Sequence, residues 1–473
     1  MIFNSFQFIW VFPIIFFSYY CLTSFLKHSP LQPKYSNLLL LVVSYALYLQ
    51  WNPVHTLVLL WVTLVTYLFA ILIEKRQAYS KQKYLITFGI VLALLPLFIY
   101  KYYDFLLNSI TELCGRYGIE IGIAGMNWAL PLGISFFSFQ AVGYLFEVYK
   151  NREKAERNLV NYMLFVSFFP QISSGPISKS SELLPQIRNR RPLDFEKMTE
   201  GFRQLLLGLF LKLVIANHLG LYVDTIYSTY EIHSGTTCLL ASICYSFQLY
   251  ADFAGYSLMA IGVGQIMGFQ LPTNFNHPYR AYSVSDFWKR WHITLTRWLT
   301  TYVYIPLGGS RCSSIKCYKN ILITFLVSGI WHGANWTFIF WGLLHGCILV
   351  VERMLKLKEK SKNVIKNAVR VFITFMLVNF LWILFRMPSI SDAALFIKKI
   401  LTSPGRLELV DNTTAIYIAI SLLLIVLYEV GMKSLNPFKS SNRIIRWSSY
   451  VVCMLAILLL GVLDTSQFIY VNF

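Results

Sequence analysis

Two histidines and an asparagine interrupt an apolar stretch that otherwise has the composition of a membrane-spanning helix. The stretch LVSGIWHGANWTFIFWGLLHG begins at Leu326 and contains His332, Asn335 and His345. An imidazole in hydrocarbon is costly unless it is hydrogen-bonded, and ionisable groups at membrane depth usually serve a function. A neutral imidazole there can act as a general base. His332 is therefore a candidate catalytic residue, with a purely structural role as the alternative, and we expect His345 to form a hydrogen bond between helices.

Three other polar features fall in the same region of the chain. His292 lies in FWKRWHITL, which is typical of an amphipathic helix at the cytoplasmic interface, where a snorkelling anchor is the alternative to a catalytic role. Asp252 lies in the apolar run YADFAGYS next to a glycine break, and Arg311 ends the stretch YIPLGGSR, whose proline and glycines force a turn and where it could meet an anion. The candidate catalytic residues are His332 and His292, and the candidate substrate-binding residues are Asp252, Trp331, Asn335 and Arg311. No CxxC pair or other metal motif occurs among the eight cysteines, so we expect no metal site.

The composition indicates that most of the chain lies in a membrane. Of 473 residues, 56% are hydrophobic and 13% are charged, whereas soluble domains carry about 25% charged residues. Several apolar runs approach or reach the ~20 residues needed to cross ~30 Å of hydrocarbon. These runs are Phe6–Leu26, Leu38–Gln50, Leu57–Ile73, Leu85–Tyr100, Val371–Phe385, Ala415–Leu427 and Val451–Leu463. The sequence therefore predicts an all-α polytopic membrane protein.

The net charge of +19 comes from basic residues whose distribution fits membrane topology, and it does not indicate a nucleic-acid partner. Basic residues cluster in short loops, which the positive-inside rule places in the cytosol. The clusters lie at 75–83, 150–157, 179–197, 353–366 and 433–446, and the acidic loops at 104–120, 224–231 and 408–411. If the basic loops are cytosolic and the acidic loops lie on the opposite side of the membrane, both termini lie outside the cytosol. Only the short segment Leu159–Pro170 has basic loops on both sides, which predicts a re-entrant segment.

The polar content of the apolar stretches changes near residues 130 and 350, although the sequence predicts a single membrane domain. Residues 1–130 and 351–473 contain simple apolar spans, whereas polar and helix-breaking residues interrupt the apolar stretches of residues 131–350. Irregular backbone at membrane depth survives only where protein or a water-filled cavity satisfies its amides. The middle third is therefore expected to hold the site, with the flanking helices as its wall.

Several of these stretches together resemble one protein family. The stretches are FFPQISSGPI, FQLYADFAGYS, NFNHPYRAYSVSDFWKRWHITLTRWL, YIPLGGSR, SGIWHGANWTFIFWGLLHG and the aromatic tail FIYVNF. Their order and spacing resemble the membrane-bound O-acyltransferase (MBOAT) family, in its bacterial alginate O-acetyltransferase and D-alanyl transfer branch. Two stretches depart from the usual pattern: Thr300–Thr301 replace Arg-Asp, and Leu258 replaces an aspartate.

The resemblance implies an architecture and places for both histidines. It implies the MBOAT fold, a ring of roughly 11 transmembrane helices with re-entrant and interfacial helices around a central funnel. His332 matches the family histidine at the floor of the funnel. His292 matches the upstream family histidine on the cytoplasmic side.

The resemblance also implies a reaction. An acyl group, most simply acetyl, would pass from a cytosolic thioester across the bacterial inner membrane to hydroxyls of a cell-envelope or exported polysaccharide. Acetyl-CoA would be a co-substrate and not a tightly bound cofactor, and the partners would be membrane lipid and an extracellular SGNH-type acyltransferase. Three alternatives stay open: D-alanyl transfer from a carrier protein to teichoic acid, a polytopic solute transporter, and a non-catalytic scaffold.

Overall fold

The computed structural model describes residues 3, 6–76, 79–189, 194–357, 363–409, 411–430, 438 and 440–463. Within these residues the regular structure is entirely helical. Some basic residues of the predicted cytosolic loops lie outside the described residues, as does the aromatic tail FIYVNF. They are Arg190, Arg191, Lys358, Lys360, Lys362, Lys433 and Lys439.

Nineteen α-helices lie in the described part of the chain. They are α1 (Phe6–Phe25), α2 (Gln32–Trp51), α3 (Pro53–Lys75), α4 (Tyr79–Leu97), α5 (Tyr103–Gly115), α6 (Ile134–Tyr149), α7 (Leu159–Ser167), α8 (Ser180–Arg188), α9 (Phe195–Phe210), α10 (Asn217–Ser228), α11 (Gly235–Ile266), α12 (Val284–Trp288), α13 (Ile293–Leu299), α14 (Ser314–His332), α15 (Trp336–Met354), α16 (Val364–Arg386), α17 (Ile390–Thr402), α18 (Asn412–Val430) and α19 (Arg443–Leu460). Short π-helical segments at Phe98–Tyr102, Leu211–Ala216 and Thr300–Tyr304 follow α4, α9 and α13.

Seven helical segments of the described residues are long and apolar enough to cross a membrane. They are Pro53–Lys75, Lys81–Gly115, Phe195–Ser228, Trp336–Met354, Val364–Arg386, Asn412–Glu429 and Arg443–Leu460. Helices α2, α11 and α14 have at least 19 residues but are more polar. The prediction of an all-α polytopic membrane protein is confirmed, and the count of roughly 11 spans stays a prediction.

The described residues form two compact units. The first comprises Met1–Phe202 and Ala260–Pro272, where α3 packs against α4 and α6, and α2 packs against α7. Helix α7 has nine residues, so at 1.5 Å per residue it is too short to cross hydrocarbon. The length of α7 agrees with a segment that does not span the membrane, and the re-entrant path stays a prediction.

The second unit comprises Arg203–Met259 and Thr273–Ile469 and contains every candidate site residue. Its tightest helix pair is α14 with α15, where glycines bring the two backbones into contact. A Cβ added at Gly329 would lie 2.4 Å from the carbonyl oxygen of Phe338, and one at Gly342 would lie 2.4 Å from that of Phe325. Small residues are what close helix packing in membranes requires. This packing fixes the end of α14, where His332 lies.

Helix α11 corrects one expectation, because it continues for 32 residues through Asp252 and Gly255. The predicted glycine break is wrong. A Cβ at Gly255 would lie 2.7 Å from the carbonyl oxygen of Gly208, and one at Gly208 would lie 2.6 Å from that of Gly255. The glycine therefore serves the close approach of two helices and does not interrupt one.

Candidate active site

His332 is the last residue of α14 and is 1% exposed. Its imidazole lies among aromatic rings, with centroid distances of 4.9 Å to Trp331, 5.0 Å to Trp341 and 5.3 Å to Phe385, all edge-to-face. The following glycine is explained by packing, because a Cβ at Gly333 would lie 2.2 Å from the ring of Phe338. An apolar aromatic enclosure favours the neutral imidazole, which is the form that can accept a proton.

The segment that carries His292 folds differently from the predicted amphipathic helix. It forms two short helices, α12 and α13, separated by a turn in which His292 has φ of +43°. The left-handed region is uncommon for a residue with a Cβ, so surrounding contacts must hold it. Glu352 holds the start of α12, where its carboxylate accepts the backbone N–H groups of Val284 at 2.6 Å and Ser285 at 2.8 Å.

His292 is fully buried, which excludes the alternative of a snorkelling surface anchor. Its Nδ1 lies 3.1 Å from Oδ1 of Asn274, and its ring packs edge-to-face on Phe253 at 4.7 Å. The ring also lies 5.8 Å from the centroid of Trp331. One indole therefore contacts both candidate catalytic histidines, His292 and His332.

His345 forms the predicted hydrogen bond between helices. The indole Nε1–H of Trp288, on α12, donates to Nδ1 of His345, on α15, at 3.2 Å. Because Trp can only donate, the neutral imidazole of His345 carries its proton on Nε2. The prediction of a structural hydrogen bond is confirmed.

Asp252 forms a buried ion pair. Its Oδ1 lies 2.6 Å from Nζ of Lys212, and both side chains are at most 2% exposed. Lys212 lies in the π-helical segment Leu211–Ala216. Phe253 and Ser257 on the same helix α11 contact the ring of His292 and the side chain of Asn274, respectively. Asp252 is thus held by a lysine in the same unit as both histidines.

The other candidate substrate-binding residues have different surroundings. Asn335 caps α15, because its Oδ1 accepts the N–H of Thr337 at 2.9 Å, and its Nδ2 donates to the carbonyl oxygen of Pro388 at 2.9 Å. Arg311 is exposed and follows a turn in which Gly308 and Gly309 have positive φ. Substrate binding by Trp331, Asn335, Asp252 and Arg311 stays a prediction.

A cleft of about 340 Å³ opens beside α12. Two cations, Lys289 and Arg353, line it, together with the hydroxyl groups of Ser285, Thr296, Thr300, Tyr304, Ser310 and Thr324. The described lining residues include no carboxylate, and the indole of Trp288 forms part of the wall. The cleft can therefore accept a molecule with an anionic part and an apolar or neutral part.

Sequence reasoning missed three residues that hold the site. Lys212 had a usable signal, because it is the only charge in LLLGLFLKLVIA and an ionisable residue in such a run is a functional candidate. Asn274, in TNFNHPYR, had no sequence signal that distinguishes it from an ordinary turn residue. Phe385 could not be assigned from its position in an apolar helix.

The buried His292 predicts a pH dependence of stability. His292 lies outside the seven candidate spans, and burial lowers the pKa of its imidazole to about 3 from the usual 6.5. Between these values the unfolded chain binds a proton that the folded chain does not, so stability falls as the pH falls below about 6.5. We expect the Tm of detergent-solubilised protein to fall between about pH 6.5 and pH 4, and His292→Asn to reduce that slope. An equal slope in the variant would contradict this assignment.

Taken together, the apolar helices and the two buried imidazoles beside one indole define a polytopic membrane protein with a cluster of polar and aromatic side chains buried among its helices. The chain belongs to the MBOAT, membrane-bound O-acyltransferase family, whose sequence model matches residues 127–388. It is accordingly an O-acyltransferase, and the matched region includes every candidate site residue.

Comparison with characterised proteins gives relatives of three kinds. The chain is 36% identical over 395 residues to "Probable alginate O-acetylase AlgI" of Azotobacter vinelandii, which covers 83% of this chain and 76% of the relative. It is 36% identical to "Peptidoglycan O-acetyltransferase" of Helicobacter pylori, over 84% of this chain and 79% of the relative. It is 31% identical to "Teichoic acid D-alanyltransferase" of Streptococcus thermophilus, over 49% of this chain and 59% of the relative.

Proposed function

We propose that this protein transfers an acetyl group from a cytosolic thioester to hydroxyl groups of a cell-envelope or exported polysaccharide, in the bacterial plasma membrane. The observation that carries the proposal is His332, a buried imidazole at the end of α14 within the family region. The O-acetyltransferases among the relatives support acetyl as the group and a polysaccharide as the acceptor. An extracellular SGNH-type partner would carry the group onward to the polymer.

His332 would act as the general base. Its imidazole takes the proton of the acceptor hydroxyl while the oxygen attacks the thioester carbonyl. The new C–O bond forms and the C–S bond breaks, and the leaving thiolate receives a proton, so the imidazole returns to its neutral form. The aromatic residues around His332, Trp331, Trp341 and Phe385, keep water from the site and so limit hydrolysis of the thioester.

The cleft beside α12 is suited to the donor. Acetyl-CoA carries phosphates on a long neutral arm, and the cleft combines Lys289 and Arg353 with hydroxyl groups and an indole. Thr300, one of the three residues that depart from the family pattern, also lines this cleft. The positive-inside rule predicts that the basic loop at 353–366 is cytosolic, and this prediction supports a cytosolic donor at the cleft.

D-alanyl transfer from a carrier protein is the second candidate. It is supported by two relatives named teichoic acid D-alanyltransferase, although their similarity covers 49% and 62% of this chain, against 83% for the alginate O-acetylase relative. The wider coverage favours acetyl transfer.

The two candidates are separated by a donor assay. Inside-out membrane vesicles containing the protein are supplied with radiolabelled acetyl-CoA or with a D-alanyl carrier protein, and label is followed into polymer or into a soluble SGNH-type partner. We expect label from acetyl-CoA alone. Label from the carrier protein alone would establish D-alanyl transfer, and label from neither would favour a transporter or a scaffold.

Transfer across the membrane also predicts sidedness. Single cysteines are placed at exposed positions in a variant that lacks the eight native cysteines. In intact spheroplasts a membrane-impermeant maleimide should label Glu231→Cys and Glu408→Cys, because their loops are acidic. The same reagent should label Lys81→Cys and Lys356→Cys only after lysis. Labelling of Lys356→Cys in intact spheroplasts would invert the topology and contradict transfer in the proposed direction.

A further inference from the structure

Asn274 forms an unusual number of bonds to the segment that carries His292. Its carbonyl oxygen accepts the backbone N–H of Ile293 at 2.9 Å. Its side-chain Oδ1 lies 3.3 Å from the backbone N–H of Thr294, 2.9 Å from the hydroxyl of Thr294 and 3.1 Å from Nδ1 of His292. One buried residue therefore holds three consecutive residues, and these bonds account for the left-handed backbone of His292.

The same bonds determine which end of the Asn274 amide is the oxygen. The backbone N–H of Thr294 can only donate, so the side-chain atom that faces it must accept. The amide nitrogen points the other way and donates to the hydroxyl oxygen of Ser257 at 3.3 Å. The orientation of this amide is therefore fixed by its partners.

The orientation of the amide in turn determines where the proton of His292 lies. Because Oδ1 of Asn274 can only accept, Nδ1 of His292 must carry the hydrogen. A neutral imidazole has one N–H, so its lone pair lies on Nε2. Burial favours the neutral ring.

We propose that Asn274 is a positioning residue that fixes the Nδ1–H tautomer of His292, so that Nε2 is a proton acceptor in acyl transfer. His292 then acts as a second neutral acceptor beside the indole that also contacts His332, and not as a cation that attracts the donor's phosphates. This role rests on the proposed acyl transfer, but the tautomer itself can be measured without any substrate.

The tautomer is tested by solid-state ¹⁵N NMR of protein labelled at histidine nitrogens, in lipid, with His292 assigned by comparison with His292→Asn. We expect Nδ1 of His292 in the protonated range and Nε2 in the unprotonated range. Asn274→Leu, which keeps the volume but removes the acceptor, should abolish this preference. A proton on Nε2 in the native protein would overturn the proposal even if acyl transfer is established.

Kinetics separate positioning from simple loss of structure. Asn274→Leu should lower kcat by at least about tenfold, within the range expected for proton transfer, with little change in KM for the donor. Asn274→Asp keeps the acceptor and can also accept from Ser257, so it should recover much of the activity. Thr294→Val, the matched control, removes one bond to Asn274 and leaves His292 in place, so its kcat should stay near that of the native protein. A loss of activity in Asn274→Leu that only follows its abundance would overturn the positioning role.

Discussion

Replacing His332 with Gln or Ala is expected to lower acyl transfer by about 100-fold or more, the lower end of what a general base contributes. The imidazole is buried among the rings of Trp331, Trp341 and Phe385, none of which can accept a proton from a hydroxyl. Polymer from cells that carry His332→Ala should lack O-acyl groups, whereas membrane insertion should persist. Acylation above about a tenth of the native level would contradict the catalytic role.

His345 provides a matched control for this substitution. It is also a fully buried histidine among aromatic rings on the neighbouring helix, but its Nδ1 accepts a structural hydrogen bond from Trp288. His345→Ala should leave a similar void and an indole N–H without its acceptor, which lowers stability. We expect lower abundance with most of the activity per molecule retained. The comparison therefore separates loss of the base from loss of packing, and an equal loss of activity per molecule in both variants would favour a structural role for His332.

Breaking the buried pair of Lys212 and Asp252 is expected to give the largest loss of stability. Removing one partner of a buried ion pair leaves an uncompensated charge and costs about 3–5 kcal/mol. Lys212→Met and Asp252→Leu should each strongly reduce the Tm and the yield of folded protein. The double variant, which removes both charges, should recover much of that loss because no charge stays buried. The Tm of each of the three variants is measured by thermal unfolding of detergent-solubilised protein.

The double variant also tests the second role predicted for Asp252. If Lys212 and Asp252 serve stability alone, the recovered double variant should transfer acyl groups at a normal rate per molecule. A stable but inactive double variant would support substrate binding by Asp252. If the single variants have the Tm of the native protein, Lys212 and Asp252 do not form the buried ion pair that their 2.6 Å contact and low exposure indicate.

The sequence alone determined that the chain lies in a membrane, that its structure is all-α and which residue is the main candidate base. Continuous apolar runs of about 20 residues predict membrane helices, because a helix of that length crosses the hydrocarbon and bonds its backbone amides within its own segment. His332 was visible for the same reason, since an ionisable residue inside an apolar run is costly and therefore conspicuous. Lys212 carried the same signal.

The tertiary structure decided what each polar residue does. FWKRWHITL has helical periodicity, yet it breaks at His292 because bonds from Asn274 to His292, Ile293 and Thr294 outweigh local propensity. YADFAGYS contains a glycine, yet α11 continues because the opposite backbone, at Gly208, fills the space of the missing Cβ. Such partners lie 18 or more residues away in the chain. Propensity depends on neighbours in sequence, whereas the tautomer of an imidazole, the partner of a carboxylate and the place of a glycine depend on neighbours in space.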